Sequence, residues 1–165
     1  AIKIVKQKYD KVEFQILGSM ESLNATAVSE EEVRGWIKEG LVSYLGSTDS
    51  VESVIPKCDC VILPSYREGL PRSLLEAGAM EKPVIASDVA GCSDVVDDGI
   101  NGLLCKAKDS PDLADKIIQM INLTDEQRTI MGKAGRAKVL ERFDENIVLK
   151  RYLACIDQVF YNNDR

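Results

Sequence analysis

The 165 residues contain no histidine, so neither a Ser-His-Asp triad nor a histidine-based metal site can be built from them. No run of about 18 apolar residues exists to cross a membrane. The opening AIKIVKQKYDKVEFQILG lacks the long apolar stretch of a signal peptide. No G-x-G-x-x-G follows a strand pattern and no G-x-x-x-x-G-K-[ST] occurs, which excludes a P-loop and argues against a dinucleotide fingerprint. Positive charge is also short: the net charge of -6 is the wrong sign for a nucleic-acid backbone binder. A local pocket in an acidic protein can still be positive and take a phosphorylated small molecule. Cysteines number five, and Cys58-x-Cys60 matches no common zinc spacing. The thiols therefore read as free and mostly buried, as in a reducing cytoplasm.

What remains is an ordinary globular composition, 45% hydrophobic and 29% charged, in a chain long enough for one domain with a proper core. The first residue is Ala1, and the first residues read as the tail of an element already under way. The expectation is a single domain over 1–165, truncated at its N-terminus, as a piece of a longer protein.

Short apolar runs alternate with helical patterns. Residues 12–17 read as a strand ending at Gly18, and 41–45 as a second ending at Gly46. Between them a helix opens on a capping box, Ser29 with Glu32, and stops at Gly40. A short helical stretch over 51–55 is disturbed by Pro56. CVILP (60–64) and PVIAS (83–87) are continuously apolar, as expected of parallel strands buried on both faces, and 102–105 is a last short strand. From Ser110 the period is helical to the end: Ser110-Pro111 opens one helix, Thr124 with Gln127 caps a second, and Asp144 caps a third running to about Tyr161. Ile147, Leu149, Tyr152, Leu153, Ile156, Val159 and Phe160 give that last helix a broad apolar face. The pattern predicts an α/β, Rossmann-like parallel sheet with helices on both faces, ending in a helical tail over 110–165.

In such sheets ligands bind outside the carboxyl ends of the strands, and REGLPRSLLEAGA (67–79) follows CVILP at that place. Gly69 lets backbone amides approach a ligand closely. Pro71 suits the first turn of a helix, and the free amides around Arg72 and Ser73, with the helix dipole, form a phosphate site. Glu76 lies about 7 Å of helix rise beyond Pro71, a span close to that from phosphate to ribose, and a carboxylate suits a vicinal diol. Glu68 falls on the other side of the phosphate, where an attached sugar would lie. The pattern alone leaves a second reading open, with Glu68 a solvated loop residue and Glu76 a helix-surface residue.

The stretch from Pro64 to Leu104, with seven residues between its two glutamates Glu68 and Glu76, resembles the donor-binding signature of the family 4 retaining glycosyltransferases, which have the two-domain GT-B architecture. The resemblance extends from F14-Q-I-L-G18 through Y44-L-G-S-T-D49 to the helical tail. The form G91-C-S-D-V-V96 is most similar to enzymes of bacterial capsule, O-antigen or exopolysaccharide assembly. It implies transfer of a sugar from a UDP- or GDP-linked donor to an acceptor hydroxyl with retained anomeric configuration and no metal cofactor. It assigns Glu68 to the donor sugar, with a positioning and electrostatic role at the catalytic centre. Gly69, Leu70 and Pro71 fall to the sugar and diphosphate, Glu76 to the ribose, and Gly18 and the loop after Gly46 to the nucleotide's flanks. Arg72 and Arg67 stand where they can supply positive charge, or else are ordinary solvated arginines.

The family's opening strand, whose Arg and Lys neutralise the diphosphate, has no counterpart here, nor does the N-terminal domain that takes a saccharide or lipid-linked acceptor. The resemblance thus implies that these residues alone are inactive. Glu81 stands where Gly is usual, and Asp94 where Glu is usual. Arg128, Lys133, Arg136, Lys138 and Arg142 read first as solvated faces, and alternatively as an approach to an anionic inner-membrane surface. A cytoplasmic location follows, extending to the cytoplasmic face of the membrane, with no nucleic-acid partner. A GT-B sugar-nucleotide epimerase and a non-catalytic interaction module are the rival readings.

Overall fold

Val84, Ile85, Ala86 and Ser87 are buried along the whole run, and the rest of the fold is arranged around them. A computed structural model describes residues 1–20 and 28–161. Five strands are present among these: β1 (Gln15–Ile16), β2 (Ser43–Tyr44), β3 (Val61–Leu63), β4 (Val84–Ser87) and β5 (Gly102–Cys105). All pairings are parallel, β1 with β2 in one sheet and β3-β4-β5 in another, with β4 central.

Because side chains alternate along a strand, β4 feeds two cores. Ile85 joins Val5, Leu103, Ala114, Ile117 and Met120 on one face. Val84 and Ala86 join Leu74, Ala77, Cys92 and Val95 on the other. The first face is covered by α1 (Ile2–Lys6) and α5 (Ser110–Asn122), the second by α3 (Arg72–Ala79) and α4 (Cys92–Val95). Helices therefore stand on both faces of the sheet, as the pattern predicts.

Both predicted capping boxes form: Ser29 and Glu32 at α2 (Glu30–Lys38), Thr124 and Gln127 at α6 (Asp125–Arg142). At α5 the cap is Asp109, whose carboxylate accepts from the Asp112 amide at 2.9 Å, with Ser110 and Pro111 in the first turn. The Val51–Ile55 stretch is two 3-10 turns, Val51–Ser53 and Ile55–Lys57, and Pro56 sits inside the second without ending it.

Three expectations need correction. The apolar run of β3 is only half-buried, because β3 is the outer strand of its sheet and faces a gap. The tail cations are not all solvated. The Arg128 guanidinium donates to the Leu123 carbonyl at 2.6 Å, Arg136 donates to the Ala79 carbonyl, and Lys138, with a side chain only 10% exposed, pairs with Asp97 at 2.9 Å. Unbonded carbonyls at helix ends attract such donors. The thiols divide as well, with Cys92 and Cys105 buried, Cys58 and Cys60 intermediate and Cys155 exposed. In α7 (Glu145–Tyr161) the apolar residues Leu149, Tyr152, Leu153, Ile156, Val159 and Phe160 are exposed.

Candidate functional site

The loop 64–71 leaves the carboxyl end of β3 and turns into α3. Pro71 is the cap residue with φ -73°, one position before the first helical residue. Its carbonyl accepts from the Leu74 and Leu75 amides, so the helix is under way at once. The amides of Arg72 and Ser73 precede the first intrahelical donor, Leu74, and so have no partner within the helix. The C-terminal end of α3 is held by a Schellman turn, the Lys82 amide bonded to the Ala77 carbonyl and the Glu81 amide to that of Gly78. Glu81 occupies the left-handed position with φ 57°, which explains why glycine is the usual residue there.

α6 braces this helix from behind. A Cβ at Gly132 would lie 1.9 Å from the Glu81 carbonyl oxygen, and one at Gly78 would lie 2.9 Å from the Val139 side chain. The two helices approach so closely that only glycine fits.

Glu76 projects from α3 with its side chain 30% exposed, and the 89% exposed Arg72 guanidinium stands 3.7 Å from its carboxylate. Such an exposed pair is held weakly, so both partners remain available to a ligand. Glu76 and Ser73 share a cavity of about 990 Å³ with Gly18, Ser19, Ser47 and Thr48. The last four come from the ends of β1 and β2, where the Gly18 amide bonds to the Gly46 carbonyl and the Tyr44 hydroxyl donates to the Gly18 carbonyl at 2.8 Å. Gly18, with φ 147°, makes this crossing in a conformation that side chains disfavour.

Two of the predicted site residues, Gly18 after β1 and Glu76 in α3, are thus brought to one cavity. Glu68, Gly69, Leu70, Pro71 and Arg72 are not in its lining. Glu68 is half-buried, Pro71 buried, and Gly69, Leu70 and Arg72 exposed. Glu68 accepts a hydrogen bond at its Oε1 from the Ser65 hydroxyl at 2.6 Å. Its charge also adds to burial in pushing the Cys92 thiol up. Much of the cavity lies below the site, between the edges of β1 and β3, where Phe14, Leu17, Ile62 and Ile117 line it.

Two contributors escaped the sequence reading. Ser65 signals itself only by standing three residues before Glu68. Gly91 is visible only in three dimensions, since its backbone supports the 68–69 peptide from a segment 22 residues away.

The profile of the family described as Glycosyl transferases group 1 matches residues 1–123. A Campylobacter jejuni N,N'-diacetylbacillosaminyl-diphospho-undecaprenol alpha-1,3-N-acetylgalactosaminyltransferase is 35% identical over 93% of the chain. The Staphylococcus aureus capsular polysaccharide biosynthesis glycosyltransferase CapM is 28% identical over 90%. The chain spans only 39% and 38% of these two relatives. Among solved structures, Anabaena HepE in complex with UDP superposes with a TM-score of 0.82 at 24% identity, covering 95% of this chain and 44% of that one. A variant of S. aureus TarM in complex with fondaparinux, alpha-GlcNAc-glycerol and UDP gives 0.81 at 27%, covering 93% and 30%. The fold is that of one half of the GT-B glycosyltransferases, and the chain belongs to the Glycosyl transferases group 1 family.

Proposed function

We propose that the chain binds the nucleoside-diphosphate-sugar donor, UDP- or GDP-linked, of a retaining glycosyltransferase. The observation that carries this reading is that Gly18, Ser73 in the first turn of α3 and Glu76 line one cavity at the carboxyl ends of parallel strands. The Arg72 and Ser73 amides and the helix dipole receive the diphosphate and stabilise it as it departs. Glu76 accepts from the ribose hydroxyls, and Arg72 is drawn from its loose pairing with Glu76 toward the phosphates. Glu68, Gly69, Leu70 and Pro71 meet the sugar. Glu68 acts by position and charge; the two glutamates are not the acid and nucleophile of a glycosidase.

The apolar part of the cavity, between β1 and β3, fits a further parallel strand. In the whole protein such a strand would bring the additional cations that the family resemblance expects beside the diphosphate. The acceptor, a saccharide or a lipid-linked saccharide, would be held by a separate domain. The resemblance to capsule and lipid-linked glycan enzymes supports a role in bacterial surface polysaccharide assembly on the cytoplasmic side of the membrane. No described helix is long and apolar enough to cross a membrane. With Arg128, Arg136 and Lys138 engaged internally, contact with anionic lipid would fall to the exposed Lys133 and Arg142.

The test is product analysis with the intact protein, UDP- and GDP-sugars and a lipid-linked saccharide acceptor. Transfer that keeps the anomeric configuration and survives EDTA is expected. Epimerised donor without transfer, or activity that requires an added divalent ion, would overturn the reading.

A further inference from the structure

Glu68 is held by groups that none of the donor contacts requires. A Cβ built on Gly91 would lie 2.3 Å from the Gly69 carbonyl oxygen and 2.7 Å from that of Glu68, far inside van der Waals contact. The two carbonyls therefore rest directly on the Cα of Gly91, whose φ of 83° is one that side chains rarely adopt. Gly91 is buried, and it is followed by Cys92, which is fully buried in the core beneath. The support under the loop is accordingly rigid. From the other side the Ser65 hydroxyl donates to Glu68 Oε1 at 2.6 Å, which fixes the rotation of the carboxylate. The backbone of residues 68–69 and the side-chain torsion of Glu68 are thus each set by a separate partner.

We infer that Gly91 and Ser65 are positioning residues that hold the Glu68 carboxylate in register with the donor sugar. The inference rests on the donor-site reading above and adds to it a division of labour. The nucleoside diphosphate is held by α3 through its amides and Glu76, while the sugar is addressed by a loop mounted on the 91–92 segment. Moving the mount should disturb the sugar step and leave nucleotide binding alone. A displacement of about 1 Å at a reacting centre costs on the order of a hundredfold in rate.

The experiment uses the intact protein with UDP as binding probe, UDP-glucose, UDP-GlcNAc and UDP-GalNAc as donors and a lipid-linked saccharide whose hydroxyl takes the sugar, following UDP release. Gly91→Ala should lower kcat about a hundredfold and Ser65→Ala about tenfold, with the Kd for UDP within about twofold of wild type. Ser65→Thr, which keeps the hydroxyl, should restore the rate. The inference is overturned if both alanine variants turn over donor at the wild-type rate. It is equally overturned if Ser65→Thr fails to rescue, or if UDP affinity and melting temperature fall in step with kcat, since that is loss of structure only. Glu68→Gln and Glu76→Ala report on the donor-site reading itself. If neither affects turnover or UDP binding, that reading fails. If both do while Gly91→Ala and Ser65→Ala do not, only the positioning roles fail.

Discussion

Replacing Gly132 by alanine drives a methyl group into the turn that ends α3. The new Cβ would lie 1.9 Å from the Glu81 carbonyl oxygen and 2.5 Å from its carbon. Ordinary contact begins near 3.4 Å, so α6 and the turn must part by about 1.5 Å. The obstacle is backbone, fixed by the Schellman bonds of Glu81 and Lys82, so it cannot swing aside as a side chain would. Overpacking of this kind costs about 1–3 kcal/mol, here toward the upper end. Alanine's better helix propensity returns about 1 kcal/mol. The net expectation is a loss of about 2 kcal/mol, or a fall in Tm of about 4–8 °C for a chain of this size. Gly35→Ala is the internal control: a Cβ there meets nothing within 4 Å, so propensity acts alone and stability should rise by about 0.5–1 kcal/mol. Thermal and urea unfolding followed by circular dichroism measure both. A Gly132→Ala variant as stable as wild type would refute the tight α3–α6 docking.

Two further outcomes are expected. Glu81→Gly relieves a left-handed residue at about 1–2 kcal/mol while losing only a half-exposed pair with Arg136 at 3.8 Å, worth well under about 1 kcal/mol. The variant should therefore unfold at higher urea than wild type, and a lower midpoint would contradict the assignment of Glu81 as the helix-ending residue. Burial raises the thiols of Cys58, Cys60, Cys92 and Cys105 above their ordinary 9.0. The native chain keeps these protons after the unfolded chain has lost them, so their contribution is complete below the unfolded value and is lost as pH rises through the folded ones. The urea midpoint should fall from pH 8 to about pH 10, less steeply in Cys60→Ala, and a flat profile would count against buried thiols.

The elements written in local chemistry were legible. The buried β4 and the Ser29–Glu32 and Thr124–Gln127 boxes carry their own signals and form as read, and the helix after Pro71 starts one residue later than read, with Pro71 as its cap. What escaped depends on distant neighbours. β1 and β2 shrink to two residues each, and among the described residues they pair only with each other. β3 is half-buried although its composition is that of a core strand, since composition does not say whether a partner lies on both edges. α1 and α4 hold only five and four residues, too few for a periodic pattern to show. In the candidate site, Gly18 and Glu76 line one cavity, whereas the approach of Gly91 to the backbone of residues 68–69 is a contact between distant segments that no spacing rule encodes.

The central claim is that α3 and Glu76 hold a nucleoside diphosphate, and calorimetric titration with UDP and GDP tests it most directly. One of the two should bind, and Glu76→Ala should weaken that binding about ten- to a hundredfold, the effect of losing charged hydrogen bonds to a diol. Binding of neither nucleotide by the intact protein, or an affinity unchanged by Glu76→Ala, would contradict it.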